Sequence, residues 1–378
     1  MKILYGVQGT GNGHISRARA MAQAFAEIPG LDVQFLFSGR AEKDYFDMAL
    51  FGDYWTRRGL TFVSEAGQVN IWKTALRNSP YQLIKEVRAL DVSGFDLVIS
   101  DFEPVTAHAA RRQGKMSLSI SHQSAFSYDV PKQGQTLLDA LIMRHFAPTE
   151  MKIGLHWYHF NEPILPPIID ITPQSVERNG AIVVYLPFEA LDRVIDTLRH
   201  VDARFVCFHP ACTAQRVVEN MEIRPLSKQG FSEALHGCNG VIANGGFELP
   251  SEALSLGKKL LLKPLSGQFE QLSNVATLDT LGLASSMESL DIGVIREWLD
   301  DAESYRVQYP DVARALAGWV AEGDMTSLPA LRESLWASVS YPEHVTDLLT
   351  DFLPTKGRKR AMLSMRLPTS SNRKLKAH

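Results

Sequence analysis

The sequence predicts an α/β fold with two doubly wound, Rossmann-like domains that face each other across a cleft. Strand patterns alternate with helix patterns in both halves of the 378-residue chain, as is typical of parallel sheets covered by helices. A proline-rich stretch from Asn161 to Pro173 separates the halves and is typical of a stiff linker. The length and the 45% hydrophobic content are sufficient for two sizeable cores.

The first domain is assigned to residues 1–165. Lys2 to Gln8 has the composition of a strand, and apolar residues at helical spacing then continue to about Ala26. The other predicted strands of this domain lie at 33–37, 95–100 and 116–120. The linker is assigned to residues 166–180.

The second domain, residues 181–330, repeats the alternation. Its predicted strands lie at 181–186, 204–208, 222–224, 240–243 and 259–263, and its predicted helices at 189–199 and 231–235. C-terminal helices at 331–354 and a basic tail at 355–378 follow. The composition of the tail predicts that it is disordered.

The stretch from Asn244 to Asn274 says the most about function. A double glycine, Gly245-Gly246, lies between a buried-type strand and a helix. The free N–H groups of a helix start and the absence of Cβ atoms there favour a bound diphosphate. We expect Glu252 about two turns into the helix, where its carboxylate can accept hydrogen bonds from sugar hydroxyls. The alternative is an ordinary turn with a solvated Glu252.

At these residues the chain resembles the nucleotide-sugar-binding half of GT-B glycosyltransferases. The resemblance is to the family-28-like branch that contains the UDP-glycosyltransferases and the peptidoglycan lipid-intermediate N-acetylglucosaminyltransferase. It implies diphosphate contacts from Asn244 with Gly246, a ribose carboxylate in Ser251-Glu252, sugar contacts in Glu270-Gln271, and uracil near Leu226. The implied donor site therefore consists of Asn244, Gly245, Gly246, Phe247, Ser251, Glu252, Glu270, Gln271 and Leu226.

The chain departs from this family at two donor-site positions. Asn244 stands where the family usually has histidine, and Y-L-P-F-E at 185–189 stands where relatives have a Gly-Gly-Ser loop. The phosphate contact normally made by that loop is therefore unassigned in this sequence.

The segment G-T-G-N-G-H from Gly9 to His14 follows the first strand. A dinucleotide site requires G-x-G-x-x-G and an acidic residue after the second strand, but this chain has Arg40 there, which disfavours NAD and leaves an NADP site open. The transferase family has a Gly-His pair at this point whose histidine faces the acceptor, which makes His14 a candidate catalytic base. G-H-I-S-R resembles a bacterial and archaeal branch of that family and adds Gly11, Gly13 and Arg17 as phosphate or acceptor contacts.

Two strand ends of the first domain carry further candidates. Asp101 follows a buried-type strand and could orient His14, act as the base itself, or cap a helix. His122 lies in S-H-Q-S, which is partly similar to the His-Glu-Gln-Asn segment of related transferases, and is a further candidate contact.

The three cysteines suggest neither a disulfide framework nor a zinc site. C-F-H-P-A-C around His209 and the distant Cys238 match no standard zinc spacing. We therefore predict no metal and no cofactor, with His209 lining the nucleotide cleft. The predicted donor is a UDP-sugar.

Charge and hydropathy indicate the remaining partners. No run of 18 apolar residues and no signal peptide is evident, so we predict a cytoplasmic protein. From Lys356 onward the tail has eight basic residues and no acidic one, which favours weak contact with an anionic membrane surface and a lipid-linked acceptor. No nucleic-acid partner is predicted. A nucleotide-sugar epimerase and an NADP-dependent oxidoreductase are the alternatives to a glycosyltransferase.

Overall fold

The computed structural model describes residues 1–60, 64–65, 68–69, 79–170 and 176–352. The basic tail and residues 171–175 of the predicted linker lie outside the described residues. Two seven-stranded sheets, covered by helices, organise the described part of the chain. The predicted α/β fold with two Rossmann-like domains is confirmed.

The first sheet has the strand order β3-β2-β1-β6-β7-β8-β9, with all neighbours parallel. Its strands are β1 (Lys2–Gln8), β2 (Asp32–Ser38), β3 (Trp55–Arg57), β6 (Leu97–Asp101), β7 (Ser117–Ser121), β8 (Met151–Leu155) and β9 (Ile164–Leu165). A separate antiparallel pair is formed by β4 (Ser64–Glu65) and β5 (Gln68–Val69). The helices are α1 (Asn12–Ala26), α2 (Pro80–Ala89), α3 (Pro104–Gln113), α4 (His122–Ala125) and α5 (Leu137–His145).

The second sheet has the order β12-β13-β11-β10-β14-β15-β16, parallel except for the edge strand β12. Its strands are β10 (Ile182–Tyr185), β11 (Phe205–Phe208), β12 (Arg216–Val218), β13 (Met221–Arg224), β14 (Gly240–Asn244), β15 (Lys259–Lys263) and β16 (Ser285–Ser286). The helices are α6 (Leu191–Leu198), α7 (Lys228–Gly237), α8 (Glu248–Ser255), α9 (Phe269–Thr280), α10 (Ile292–Asp301), α11 (Val312–Glu322), α12 (Leu328–Ala337) and α13 (Glu343–Phe352).

The strand order places a topological switch point in each sheet. In the first sheet β1 lies between β2 and β6, and in the second β10 lies between β11 and β14. The crossover connections therefore lead to opposite sides of β1 in the first sheet and to opposite sides of β10 in the second. This opens a crevice at the carboxyl ends of these strands, where α/β proteins bind ligands.

The C-terminal helices return to the first domain. Helix α11 lies within the range assigned to the second domain, yet it packs against α1. From α12, Trp336 Nε1 donates a hydrogen bond of 2.8 Å to the carbonyl of Ile164 in β9. The chain thus crosses the interdomain cleft twice.

The observed helix boundaries differ from the predictions in both directions. The helix predicted at 231–235 spans Lys228–Gly237, because the Ser227 side chain accepts a hydrogen bond from the Gly230 amide and starts the helix. The helix predicted at 189–199 begins only at Leu191. Glu252 lies one turn, not two turns, into α8.

A buried carboxylate joins the first sheet to α3. Glu103 caps α3 by accepting hydrogen bonds from the Val105 and Thr106 amides, and it also accepts one of 2.6 Å from Ser38 Oγ at the end of β2. Burial raises the pKa of Glu103, although the hydrogen bonds from these donors act to lower it. Gly6 in β1 lies against this group, so that a Cβ there would overlap Thr106 and come within 2.9 Å of Glu103 Oε2.

We predict opposite effects for two glycine substitutions. Gly6→Ala should lower the free energy of unfolding by about 1 to 3 kcal/mol, because the packed site has no room for a methyl group. Gly318→Ala, in the interior of α11 with no heavy atom within 4 Å of its Cβ position, should raise it by about 0.5 to 1 kcal/mol. Urea unfolding measures both. Equal effects of the two substitutions would contradict the packing described here.

Candidate active site

The glycine-rich loop after β1 lies against the start of α8 in the other domain. Gly11 is the N-cap of α1 and is exposed. A Cβ on Gly13 would lie 2.5 Å from Glu248 Oε2, so any other residue at position 13 would displace the Glu248 side chain. The first-domain loop and the predicted phosphate-binding helix start are therefore in contact.

His14, Asp101 and Arg17 form one hydrogen-bonded group at the carboxyl ends of β1 and β6. His14 Nδ1 lies 2.8 Å from Asp101 Oδ1. Arg17 donates two hydrogen bonds to the same carboxylate, from Nε to Oδ2 at 2.8 Å and from NH2 to Oδ1 at 2.6 Å. Burial opposes ionisation of Asp101, but Arg17 and His14 hold its pKa below the usual value.

The ionised carboxylate fixes the orientation of the histidine. With Asp101 charged, we assign the ring proton of His14 to Nδ1, which then donates to Asp101. Arg17 NH2 also lies 2.9 Å from Nδ1, and in this tautomer it donates to Asp101 and not to the ring. This leaves Nε2 as the proton acceptor. The helix-capping alternative for Asp101 is wrong, because Glu103 caps α3.

The Arg17 guanidinium also crosses the cleft. Its NH1 donates to Glu248 in the first turn of α8. The Arg17 side chain is 1% exposed, and although burial disfavours its charge, Asp101 and Glu248 hold its pKa above the ordinary value. One buried cation thus joins a carboxylate of each domain.

Two side chains from opposite domains meet beside His14. Gln123 Nε2 donates to Glu270 Oε1 at 3.1 Å and lies 3.5 Å from His14 Nε2. Burial raises the pKa of Glu270. Gln123 Oε1 is buried and has no hydrogen-bond partner among the described residues, so a hydroxyl donor there would complete its bonding.

Glu252 faces the first domain and two other carboxylates. It accepts a hydrogen bond of 3.2 Å from Ser16 Oγ of α1. Burial, together with the negative charges of Asp170 and Glu248, raises the pKa of Glu252 to about 8. Lys228 pairs with Asp170 at 2.9 Å and offsets part of this repulsion. Glu252 is therefore protonated near neutral pH.

The predicted diphosphate loop leaves β14 at Asn244. Gly245 packs against α9, since a Cβ there would lie 2.8 Å from the Gln271 carbonyl oxygen, whereas the corresponding direction at Gly246 is open. Phe247 stacks on His122 with ring centroids 4.0 Å apart. The Gly246 N–H donates to the Asn244 carbonyl at 2.8 Å, so Gly246 offers a ligand space and no free donor.

Three predicted donor contacts have hydrogen bonds within the protein. Asn244 Nδ2 donates to the Lys263 carbonyl at 2.9 Å. Ser251 Oγ donates to the Phe247 carbonyl and accepts from Trp157 Nε1. Gln271 Oε1 accepts from the Leu265 amide at 2.9 Å.

The two remaining histidine candidates are held by the protein. His122 lies between the Leu155 carbonyl and Asn274 Oδ1, and burial lowers its pKa to about 3. His209 donates from Nε2 to the Glu189 carbonyl at 3.0 Å and is 4% exposed. Leu226 is half-buried between β13 and α7.

The structure brings several residues to the site that were not predicted from the sequence. Glu248, Gln123, Ser16 and Asp170 contact the predicted residues through their side chains or their charges. The presence of Gln123 in S-H-Q-S and of Glu248 in the first turn of a helix were the available signals. The partners of Gln123 and Glu248 lie more than 100 residues away in the sequence, and no local pattern reveals them.

The described residues form neither a metal-binding cluster nor a membrane-spanning helix. Within the described ranges, no group of three or more His, Cys, Asp or Glu side chains could hold a metal ion. All three cysteines are buried and unpaired. None of the described helices is both long and apolar enough to span a bilayer.

Two doubly wound domains that meet at a glycine-loop histidine and a helix start have the architecture of the GT-B fold. The family described as Glycosyl transferase family 1 matches residues 1–302. The chain belongs to this family and is a glycosyltransferase. The family-28-like branch suggested by the sequence stays a prediction.

Solved structures share the fold at low sequence identity. The Phytolacca americana UGT2 complexed with UDP-2fluoro-glucose and pterostilbene has 14% identity and a TM-score of 0.54, over 93% of this chain and 98% of that one. The spinosyn rhamnosyltransferase SpnG has 14% identity and a TM-score of 0.52, over 93% and 100%. VinC in complex with dTDP has 12% identity and a TM-score of 0.50, over 88% and 100%. No curated protein matches the chain.

We predict that Glu252 makes stability depend on pH. Between about 4.5 and about 8 the folded protein keeps a proton on Glu252 that the unfolded chain has released. Its stabilising contribution is complete below pH 4.5 and lost as the pH rises through 8, with a slope of roughly 1 kcal/mol per pH unit. Glu252→Gln cannot titrate and should therefore gain stability relative to the wild type between pH 6 and pH 8, by on the order of 1 to 2 kcal/mol.

Urea unfolding at the two pH values measures this difference. The exposed Glu297→Gln is the matched control and should show no such gain. A constant difference between Glu252→Gln and wild type at both pH values would show that Glu252 has an ordinary pKa.

Proposed function

We propose that the protein transfers a hexose-type sugar from a UDP-sugar to an acceptor hydroxyl, with inversion at the anomeric carbon and without a metal. The observation that carries this proposal is the His14–Asp101 pair, which faces the start of α8 across the cleft. Asp101 orients the ring, and His14 Nε2 removes the proton of the acceptor hydroxyl. The hydroxyl oxygen then forms a bond to the anomeric carbon as the bond to the UDP oxygen breaks.

The second domain is suited to hold the donor. The free N–H groups at the start of α8 supply donors for the diphosphate, whose charge grows as UDP departs, and the open Cβ direction at Gly246 leaves room for it. We assign Glu252 to the ribose and Glu270 with Gln123 to the transferred sugar, and the contacts of these side chains with the first domain support this assignment. No Asp-x-Asp motif of the metal-dependent transferases occurs in the sequence. The uridine diphosphate choice is supported by the sequence resemblance and by UGT2, a structural neighbour that is complexed with UDP-2fluoro-glucose.

The acceptor and the cellular site belong to the same proposal. We expect a lipid-linked acceptor at the cytoplasmic face of a membrane, because the basic residues from Lys356 onward favour an anionic surface. The rival oxidoreductase would require Arg40 to bind the NADP phosphate. Its guanidinium instead donates to the Thr10 carbonyl and to Asn12 Oδ1. No contact among the residues that the structure describes favours the epimerase.

We predict that His14→Ala lowers the rate of UDP release from UDP-sugar by about 100-fold or more, because the general base is lost. Water serves as the acceptor in this assay. The KM for the donor should change less than kcat, since among the proposed sugar contacts His14 reaches only Gln123, 3.5 Å from its Nε2. His200→Ala, an exposed histidine far from the cleft, is the control and should keep the wild-type rate. A His14→Ala enzyme with the wild-type rate would eliminate this base.

We predict that one nucleotide class raises the Tm of the wild type and that Glu252→Ala loses most of this shift. The panel contains UDP, GDP, dTDP and their sugars, and dTDP is included because VinC binds it. The shift reflects ligand that binds only the folded state. Equal shifts in wild type and Glu252→Ala would remove Glu252 from the site, and the absence of any shift would contradict the nucleotide-sugar donor.

A further inference from the structure

A buried ion pair lies at the switch point of the second sheet. Lys263 Nζ, at the end of β15, lies 2.5 Å from Glu189 Oε1, in the loop after β10. The two residues are 6% and 5% exposed. An ion pair buried this deeply is costly to desolvate and is weak evidence for stability alone.

The sheet order fixes where this pair lies. Strand β14 separates β10 from β15, so the pair spans the carboxyl end of β14. Asn244 ends β14 and is the direct strand neighbour of Lys263. The ammonium group therefore lies where the predicted diphosphate loop begins.

A second observation at the same point indicates a missing ligand. Asn244 is 93% buried, with 7% of its surface exposed, and donates its amide N–H to the Lys263 carbonyl. Its Oδ1 has no hydrogen-bond partner among the residues that the structure describes. Buried polar atoms are normally bonded, so this oxygen marks an incomplete polar site.

The sequence also leaves a phosphate contact unassigned in this region. Y-L-P-F-E replaces the Gly-Gly-Ser loop after β10, and Glu189 is its last residue. A carboxylate here would repel a diphosphate unless a cation accompanied it. Lys263 supplies that cation from the neighbouring strand.

We propose that Lys263 binds the donor diphosphate, and that the Glu189 carboxylate occupies its ammonium until the donor binds. This inference rests on the proposed function and names the cation of its phosphate site. When the donor enters, a phosphoryl oxygen replaces Glu189 as the partner of Lys263. Glu189 and the ligand thus compete for one ammonium group, and no covalent bond changes.

The competition predicts opposite effects for the two partners. Lys263→Met keeps the side-chain volume but removes the charge, and should weaken UDP binding by about tenfold or more while uridine binding changes little. Glu189→Gln removes the competing carboxylate and should tighten UDP binding several-fold. The double variant should bind UDP as weakly as Lys263→Met. Isothermal titration with UDP, uridine and inorganic pyrophosphate measures these affinities.

Lys258→Met is the matched control for loss of a buried lysine. Lys258 is 4% exposed and donates to the carbonyls of His236 and Cys238, away from the cleft. It should lower Tm without changing the ratio of UDP to uridine affinity. If Lys263→Met does not fold, the UDP affinity of Glu189→Gln alone tests the proposal. A purely structural ion pair would leave this affinity at the wild-type value or lower it.

The results separate the inference from the function on which it rests. One outcome is that the wild type binds UDP while Lys263→Met shows no selective loss of UDP affinity or Glu189→Gln shows no gain in it. This result would overturn the role of Lys263 alone. Wild type that binds no nucleoside diphosphate would overturn the proposed function and this inference with it.

Discussion

The buried charge of Arg17 is the constraint on which the arrangement of the site depends. A guanidinium that is 1% exposed needs carboxylate partners, since an unpaired buried charge is strongly destabilising. Asp101 supplies one partner from the first domain and Glu248 the other from the second. The glycine loop, the end of β6 and the start of α8 must therefore come together. The orientation of His14 follows from this, because its Nδ1 shares Asp101 with Arg17.

The close approach of the two domains also concentrates negative charge in the cleft. Glu248, Glu252, Glu270 and Asp170 influence one another across it, and the raised pKa values of Glu252, Glu270 and Asp170 show that burial resists further ionisation. A dianionic donor entering this region must be accompanied by cations or by protonated carboxylates. The protonation of Glu252 near neutral pH meets part of this requirement.

Local patterns predicted the strands well and the cross-domain site only in part. Lys2–Gln8 and Lys259–Lys263 have the predicted bounds, because continuous apolar runs mark buried parallel strands. His14 and Asp101 were found from strand ends, where α/β sheets place functional groups. Glu248 and Gln123 were not found, because their partners are set by how the two domains face each other. Periodicity within one element carries no information on that arrangement.

The structure changes the role that Arg17 can have. The sequence resemblance implied an anion contact, but its guanidinium already has two carboxylates as its anions. The bidentate pair with Asp101 is fully buried, whereas Glu248 is partly exposed and makes one bond, so only that bond can be exchanged for a ligand without disturbing His14. In the proposed mechanism, charge on the departing UDP is therefore stabilised mainly by the α8 amides and by Lys263. Arg17 then serves to keep Asp101 ionised and His14 aligned.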